Sequence, residues 1–238
     1  PARGFAPVLD VEQAEDRLKQ FKLSFFGLPK KSFHQAYSYR FQFAHYPQAG
    51  VPEKRHGFLS GLSPHSPTFR IDLITSPQDL NPLSSFLLIR DLNGSKAWKW
   101  TRGIPTAQKL TSENWRTPWI DGINHSPFDL LMPFVSWPFE YQKSGRVCGR
   151  PAHLFVFTPS NKGNPYSSSL ESVRLALDDA YDAPLRIEHM DGGILPARIF
   201  SLQSFKKVNN RWVVKSIDVK DRDSKSRTRF ELQAVAHD

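Results

Sequence analysis

The sequence predicts a mainly β, α+β fold: an antiparallel sheet with short helices laid over it. Three observations carry this. Apolar and polar residues alternate with period two in run after run, which gives each run one apolar and one wetted face. Turn residues separate the runs at short intervals, too short for the crossovers that parallel strands need. And 19 prolines against 13 glycines favour many stiff connections and few long helices.

In chain order, residues 1–9 read as a loose leader. Asp10 is placed to cap a helix, with Gln13 as its capping-box partner. Leu18, Phe21, Lys22 and Phe25 follow at helical spacing and Gly27-Leu28-Pro29 closes the element, so 11–26 is an amphipathic helix that must lay its stripe on a sheet. From His34 to Tyr46 a strand carries Tyr37, Tyr39, Phe41 and Phe43 on one face and Ala36, Ser38, Arg40 and Gln42 on the other. Strands continue at Arg55–Ser60, Thr68–Thr75, Ser84–Arg90 and Ala97–Thr101, with Asn93-Gly94 as a hairpin signal before the last. Gly103 to Trp119 loses periodicity and reads as an extended loop.

Ser126-Pro127-Phe128-Asp129 starts a helix of about two turns. Ser126 is the cap, Pro127 suits the first position, and Asp129 completes a capping box. Leu130, Leu131 and Phe134 give it an apolar face. Phe139–Lys143 and Ala152–Thr158 form a hairpin around Ser144-Gly145. The last third is a meander. Val173, Leu175 and Leu177 alternate with Arg174, Ala176 and Asp178, then Leu185 and Ile187, then Phe200–Val208. Val213, Ile217 and Val219 follow, and finally Thr228, Phe230, Leu232 and Ala234. No break in composition divides the chain, so 1–238 is expected to form a single domain.

The totals set limits on function. Charged residues are 23% and hydrophobic residues 39%, near the globular average, which excludes wholesale disorder. A net charge of +9 permits attraction to a polyanion or an anionic membrane surface. The densest basic region, Lys206 to Arg229, mixes its cations with acids, and its aromatics fall on the opposite parity; nucleic acid is therefore not an expected partner. The single cysteine, Cys148, excludes an intrachain disulfide and suits a tight turn better than a reactive site, although Arg146 and Arg150 flank it. No run approaches the roughly 18 apolar residues of a membrane span. The chain starts at Pro1, so a signal or anchor segment is expected to have preceded it.

Catalytic and metal signatures are not found. The eight histidines are scattered, no pair has the i, i+4 spacing of a zinc helix, and Cys148 has no CxxC partner. There is neither a GxSxG elbow nor a phosphate-binding loop. Asp178, Asp179 and Asp182 are close carboxylates at a strand end, where turn roles are the common use. No enzyme activity, cofactor or metal is expected.

From about Gly122 to Ala236 the chain resembles the bacterial outer-membrane lipoprotein-sorting-like proteins, the group around the lipoprotein carriers LolA and LolB. The resemblance runs through Phe128-Asp129-Leu130-Leu131, Gly149-Arg150-Pro151-Ala152-His153-Leu154 and Val173-Arg174-Leu175-Ala176-Leu177-Asp178. It continues through Pro184-Leu185-Arg186-Ile187-Glu188, Arg211-Trp212-Val213 and Arg227-Thr228-Arg229-Phe230. It implies a strongly curved sheet, an incomplete β-barrel, with helices across its open side. It also implies an apolar concave face that holds the acyl chain of a lipoprotein or another lipid, and a home in the periplasm or at the outer membrane of a Gram-negative-type envelope. The cavity arginine thought to govern release in the carriers has no counterpart in the matched stretch, and no lipobox cysteine is present.

Tyr37, Tyr39, Phe41, Phe43, Phe69, Ile71, Leu130, Leu131 and Phe134 are the expected cavity walls. Rings of this size bury about 150–250 Å² each, which serves a packed core as well as a lipid cavity. Two other readings therefore stand beside the carrier: an interaction module with a filled core that docks on an envelope protein or polyanion, and a hydrolase acting on lipid or glycan.

Overall fold

The computed structural model describes residues 5–26, 36–62, 66–91, 94–160, 164–208 and 211–237. Thirteen strands form one antiparallel sheet. β1 (Tyr37–Tyr46), β2 (Glu53–Gly61), β3 (Thr68–Ile74), β4 (Ser84–Ile89), β5 (Lys96–Thr101) and β6 (Gln108–Leu110) step outward in one direction. β7 (Phe139–Val147), β8 (Arg150–Phe157), β9 (Ser172–Asp178), β10 (Pro184–Met190), β11 (Arg198–Val208), β12 (Arg211–Asp221) and β13 (Ser226–His237) step back toward the middle. There β13 pairs with β1, Phe43 opposite Phe230 and Phe41 opposite Leu232. Every other pairing joins sequence neighbours, so only this central seam is a long-range choice. β6 and β7 are the two edges and do not pair. The result is a curved, unclosed sheet, an incomplete barrel.

The predicted strands form where alternation placed them. In β1 the four aromatics on one face are all buried, while Ser38, Arg40 and Gln42 between them keep partial exposure. Gly57 of β2 faces Phe41 across the ladder. A Cβ at Gly57 would stand 2.5 Å from the Phe41 ring and 2.4 Å from the Asp72 carbonyl, so only glycine lets the ring lie there.

Two expected features differ. The β7–β8 hairpin turns at Cys148-Gly149 rather than at Ser144-Gly145. Both of those residues have positive φ (51° and 76°), the requirement of a tight two-residue hairpin whose twist matches its strands. Cys148 is exposed there. The stretch 103–119 is less irregular than its sequence suggests: it holds β6 and a 3₁₀ turn, Ser112–Arg116, whose Trp115 is buried. Three residues are too few for a period to show. The proposed turns at Gly27–Pro29 and Asn93-Gly94, and the strand start at His34, lie wholly or partly outside the described residues.

Two helices cross the open side. α1 (Val11–Phe26) starts with reciprocal capping bonds: Asp10 N–H donates to Gln13 Oε1 (3.1 Å) and Gln13 N–H to Asp10 Oδ1 (2.8 Å). Ala14, Leu18, Phe21 and Phe26 join the main core. At its N-terminal half Arg17 donates to the Asp179 carbonyl (2.9 Å) and to Asp182 Oδ1 (2.8 Å), in the β9–β10 turn. At its C-terminal end Phe25 lies under the guanidinium of Arg90, just after β4. The helix thus spans from one arm of the sheet to the other. α2 (Pro127–Leu131) is one short helix that stops at Met132, in the left-handed region, before a 3₁₀ turn at Pro133–Ser136. The capping box of Ser126 and Asp129 is formed.

Candidate functional site

A cavity of about 610 Å³ lies between the middle strands and α2 with its preceding loop. β1 contributes Tyr37, Tyr39, Phe41 and Phe43, β2 Leu59, and β3 Phe69 and Ile71. From the other arm come Phe200, Val213, Val214, Ile217, Phe230 and Leu232. Trp119, His125, Ser126, Asp129 and Leu130 cover the side that the sheet leaves open, and Ser66 and Arg90 complete the wall. The volume falls in the range of about 300–1,000 Å³ typical of small-molecule sites, and the wall is aromatic and aliphatic with few polar groups, as such sites are.

Seven of the nine residues expected from sequence meet at this cavity: Tyr37, Tyr39, Phe41, Phe43, Phe69, Ile71 and Leu130. Leu131 and Phe134 do not line it. Both are fully buried in the main core, Phe134 edge-on to the Phe157 ring at 5.4 Å. Phe134 falls beyond the break at Met132, and Leu131, one position on from Leu130 and so about 100° around the helix, faces the core instead of the cavity.

The polar members of the wall were not anticipated. Arg90 donates from Nε to the Leu130 carbonyl (2.9 Å), and its guanidinium sits 4.0 Å from the Phe25 ring centroid and 4.6 Å from that of Phe69. Burial pulls its pKa down to about 10, with Tyr37 acting weakly the other way, so it is still a cation at neutral pH. Tyr37 is pushed up to about 12, again chiefly by burial. Arg90 lies just after β4, ahead of the stretch that begins near residue 122.

Deeper in, Asp129 accepts from Arg198 Nη2 (2.7 Å) and from the Ser126 N–H (2.8 Å). His125 packs on Phe43, ring centroids 4.8 Å apart, and neither of its nitrogens has a protein partner. Burial first, and then the charge of Arg198, holds its pKa well below the ordinary histidine value, so it is a neutral ring. His189 is held down by burial, Arg198 and Arg116 in turn.

The close carboxylates have another use. Asp178 accepts from the Ala180 and Tyr181 N–H groups (2.9 and 3.0 Å) and pairs with Arg150, while Asp179 and Asp182 bind Arg17. They fold the β9–β10 turn and tie α1 to it. Among the described residues, no group of three or more His, Cys, Asp or Glu is placed to hold a metal ion. No helix among them is long and apolar enough to cross a membrane.

The architecture is that of the lipoprotein-sorting, LolA-like fold. A protein domain assigned to outer membrane lipoprotein sorting, from Vibrio parahaemolyticus, superposes with a TM-score of 0.70 at 14% identity, over 93% of this chain and 91% of its own. A DUF1329 family protein from Desulfovibrio piger gives 0.72 at 14% identity, over 96% and 93%. A LolA superfamily protein from Nitrosomonas europaea gives 0.62 at 8% identity, over 93% and 92%. No family model and no curated protein matches the sequence. The likeness is therefore one of fold, and it covers both halves of the chain.

Proposed function

We propose that this protein is a non-enzymatic binding or carrier protein of a Gram-negative-type envelope, periplasmic or associated with the outer membrane, that takes up the acyl chain of a lipoprotein or another lipid. The carrying observation is the cavity of about 610 Å³ walled by Tyr39, Phe41, Phe43, Ile71, Ile217 and Phe230. Each methylene moved from water into such a wall is worth about 0.8 kcal/mol, so a long chain binds with little help from polar contacts. The fold shared with a lipoprotein-sorting domain supports the same reading. A filled interaction module fits less well, because the β1 rings, although they meet Phe230 and His125, also border an open chamber.

Native mass spectrometry of freshly purified protein, followed by lipid extraction, tests this. An adduct with the mass of an acyl-chain lipid, lost on extraction, is the expected result. A clean apo mass, with no uptake of a fluorescent fatty-acid analogue afterwards, refutes it.

A further inference from the structure

Among the described residues, Arg90 is the one lysine or arginine on the cavity wall. Its Nε is committed to the Leu130 carbonyl, and the Phe25 and Phe69 rings fix its plane. No described carboxylate pairs with it, and among the described residues Tyr37 is the ionisable group whose charge bears on it. The acid on the wall, Asp129, is already neutralised by Arg198 at 2.7 Å. The two Nη groups of Arg90 thus form a donor edge without an acceptor among the described residues, beside an apolar chamber. A partly buried cation without a counter-charge carries a cost, and an anion that arrives with a ligand reduces it.

We infer that the cavity selects a single-chain amphiphile with a carboxylate head, a long-chain fatty acid, whose carboxylate meets the free Nη edge of Arg90 while its chain lies along the β1 rings. The inference rests on the acyl-binding reading above and adds the head group to it. The planar guanidinium matches a carboxylate through two parallel N–H···O bonds, a geometry that an ammonium does not offer. One cation calls for one negative charge, which favours a carboxylate over a phosphate monoester. Tyr37, protonated at neutral pH, supplies a further donor.

Titration calorimetry of the 238-residue chain with laurate, dodecanol and dodecyl phosphate tests this, because the three ligands share one chain. Laurate is expected to bind at least about tenfold more tightly than dodecanol, the scale of one charge-assisted pair. Arg90→Leu is expected to abolish the preference, so that laurate and dodecanol bind that variant equally, and Arg90→Lys to keep part of it. The comparison of ligands on the unmodified chain stands even if a variant fails to fold. Equal affinity for laurate and dodecanol overturns the head-group inference and leaves the acyl-binding reading intact. Tighter binding of dodecyl phosphate overturns the choice of carboxylate. Binding of none of the three overturns both.

Discussion

Arg198 at the start of β11 donates from Nη2 to Asp129 of α2 at 2.7 Å, across 69 positions of sequence, and both side chains are almost wholly buried. With Arg90 holding the Leu130 carbonyl from the other arm, α2 is fastened to both halves of the sheet through adjacent residues. Removing one partner of a buried pair strands the other charge, which typically costs about 3–5 kcal/mol. Arg198→Leu is therefore expected to lower the thermal midpoint by on the order of 10 °C, at about 2–4 °C per kcal/mol for a chain of this size. Asp129→Leu combined with Arg198→Leu should recover a good part of that loss, since no charge is then left alone. Calorimetric midpoints of the two variants decide it; a double variant no better than the single one would show that the pair is not the fastening.

The neutral histidines make stability depend on pH. The folded pKa values of His125 and His189 are well below the ordinary value, mainly through burial. Below about pH 6.5 the unfolded chain binds protons at these rings and the folded chain does not, so stability falls as pH falls. Two such rings give a slope of roughly 2.7 kcal/mol per pH unit in that window, and no slope from them above it. Urea midpoints at pH 7.5 and 5.5 measure the drop. His125→Leu, which keeps an apolar contact with Phe43, should cut it by about half; an unchanged drop would mean that His125 does not resist protonation.

The sheet was legible because alternation is a local signal, clearest in β1, β3 and β10 and weak in β2, β4 and β6. The cavity was legible in part for the same reason: Tyr37, Tyr39, Phe41 and Phe43 share a parity, and so do Phe69 and Ile71. The other wall was hidden. Phe230, Leu232 and Ile217 show the same alternation, but only the β1–β13 seam brings them opposite those rings, and register between distant strands is not written in either strand alone. Arg90 and Arg198 gave no signal, since an arginine at a strand end is usually solvated and the sequence does not show what covers it. Phe134 was misplaced because a helical face was extended past Met132, where the left-handed turn ends the helix, whereas Leu131, still inside the helix, turns to the core side.

Gly57 sets how close β2 brings the sheet to the Phe41 ring. Gly57→Ala must push aside both the ring and the Asp72 backbone, because its Cβ would lie at 2.5 and 2.4 Å from them. Overpacking of this kind costs about 1–3 kcal/mol. The denaturant midpoint is expected to fall accordingly with no change in m-value. A neutral result would mean that the Phe41 ring and the β3 backbone at Asp72 both give way without cost.

Ile71 offers the sharpest test of the cavity itself. It lies on β3, almost fully buried, with its side chain on the cavity wall. Ile71→Trp places the added volume where the chamber is open, so it fills space instead of displacing packed neighbours. The usual overpacking penalty of about 1–3 kcal/mol should then be small or absent. Uptake of any twelve-carbon chain should fall at least about tenfold, whatever its head group, because the apolar surface that drives it is already covered. This separates the chamber from the arginine: Arg90→Leu changes the preference between heads, and Ile71→Trp lowers all heads alike. Calorimetric titration and thermal melts on the same sample give both readings. A folded Ile71→Trp protein that takes up acyl chains as well as the parent does would place the binding surface outside this cavity.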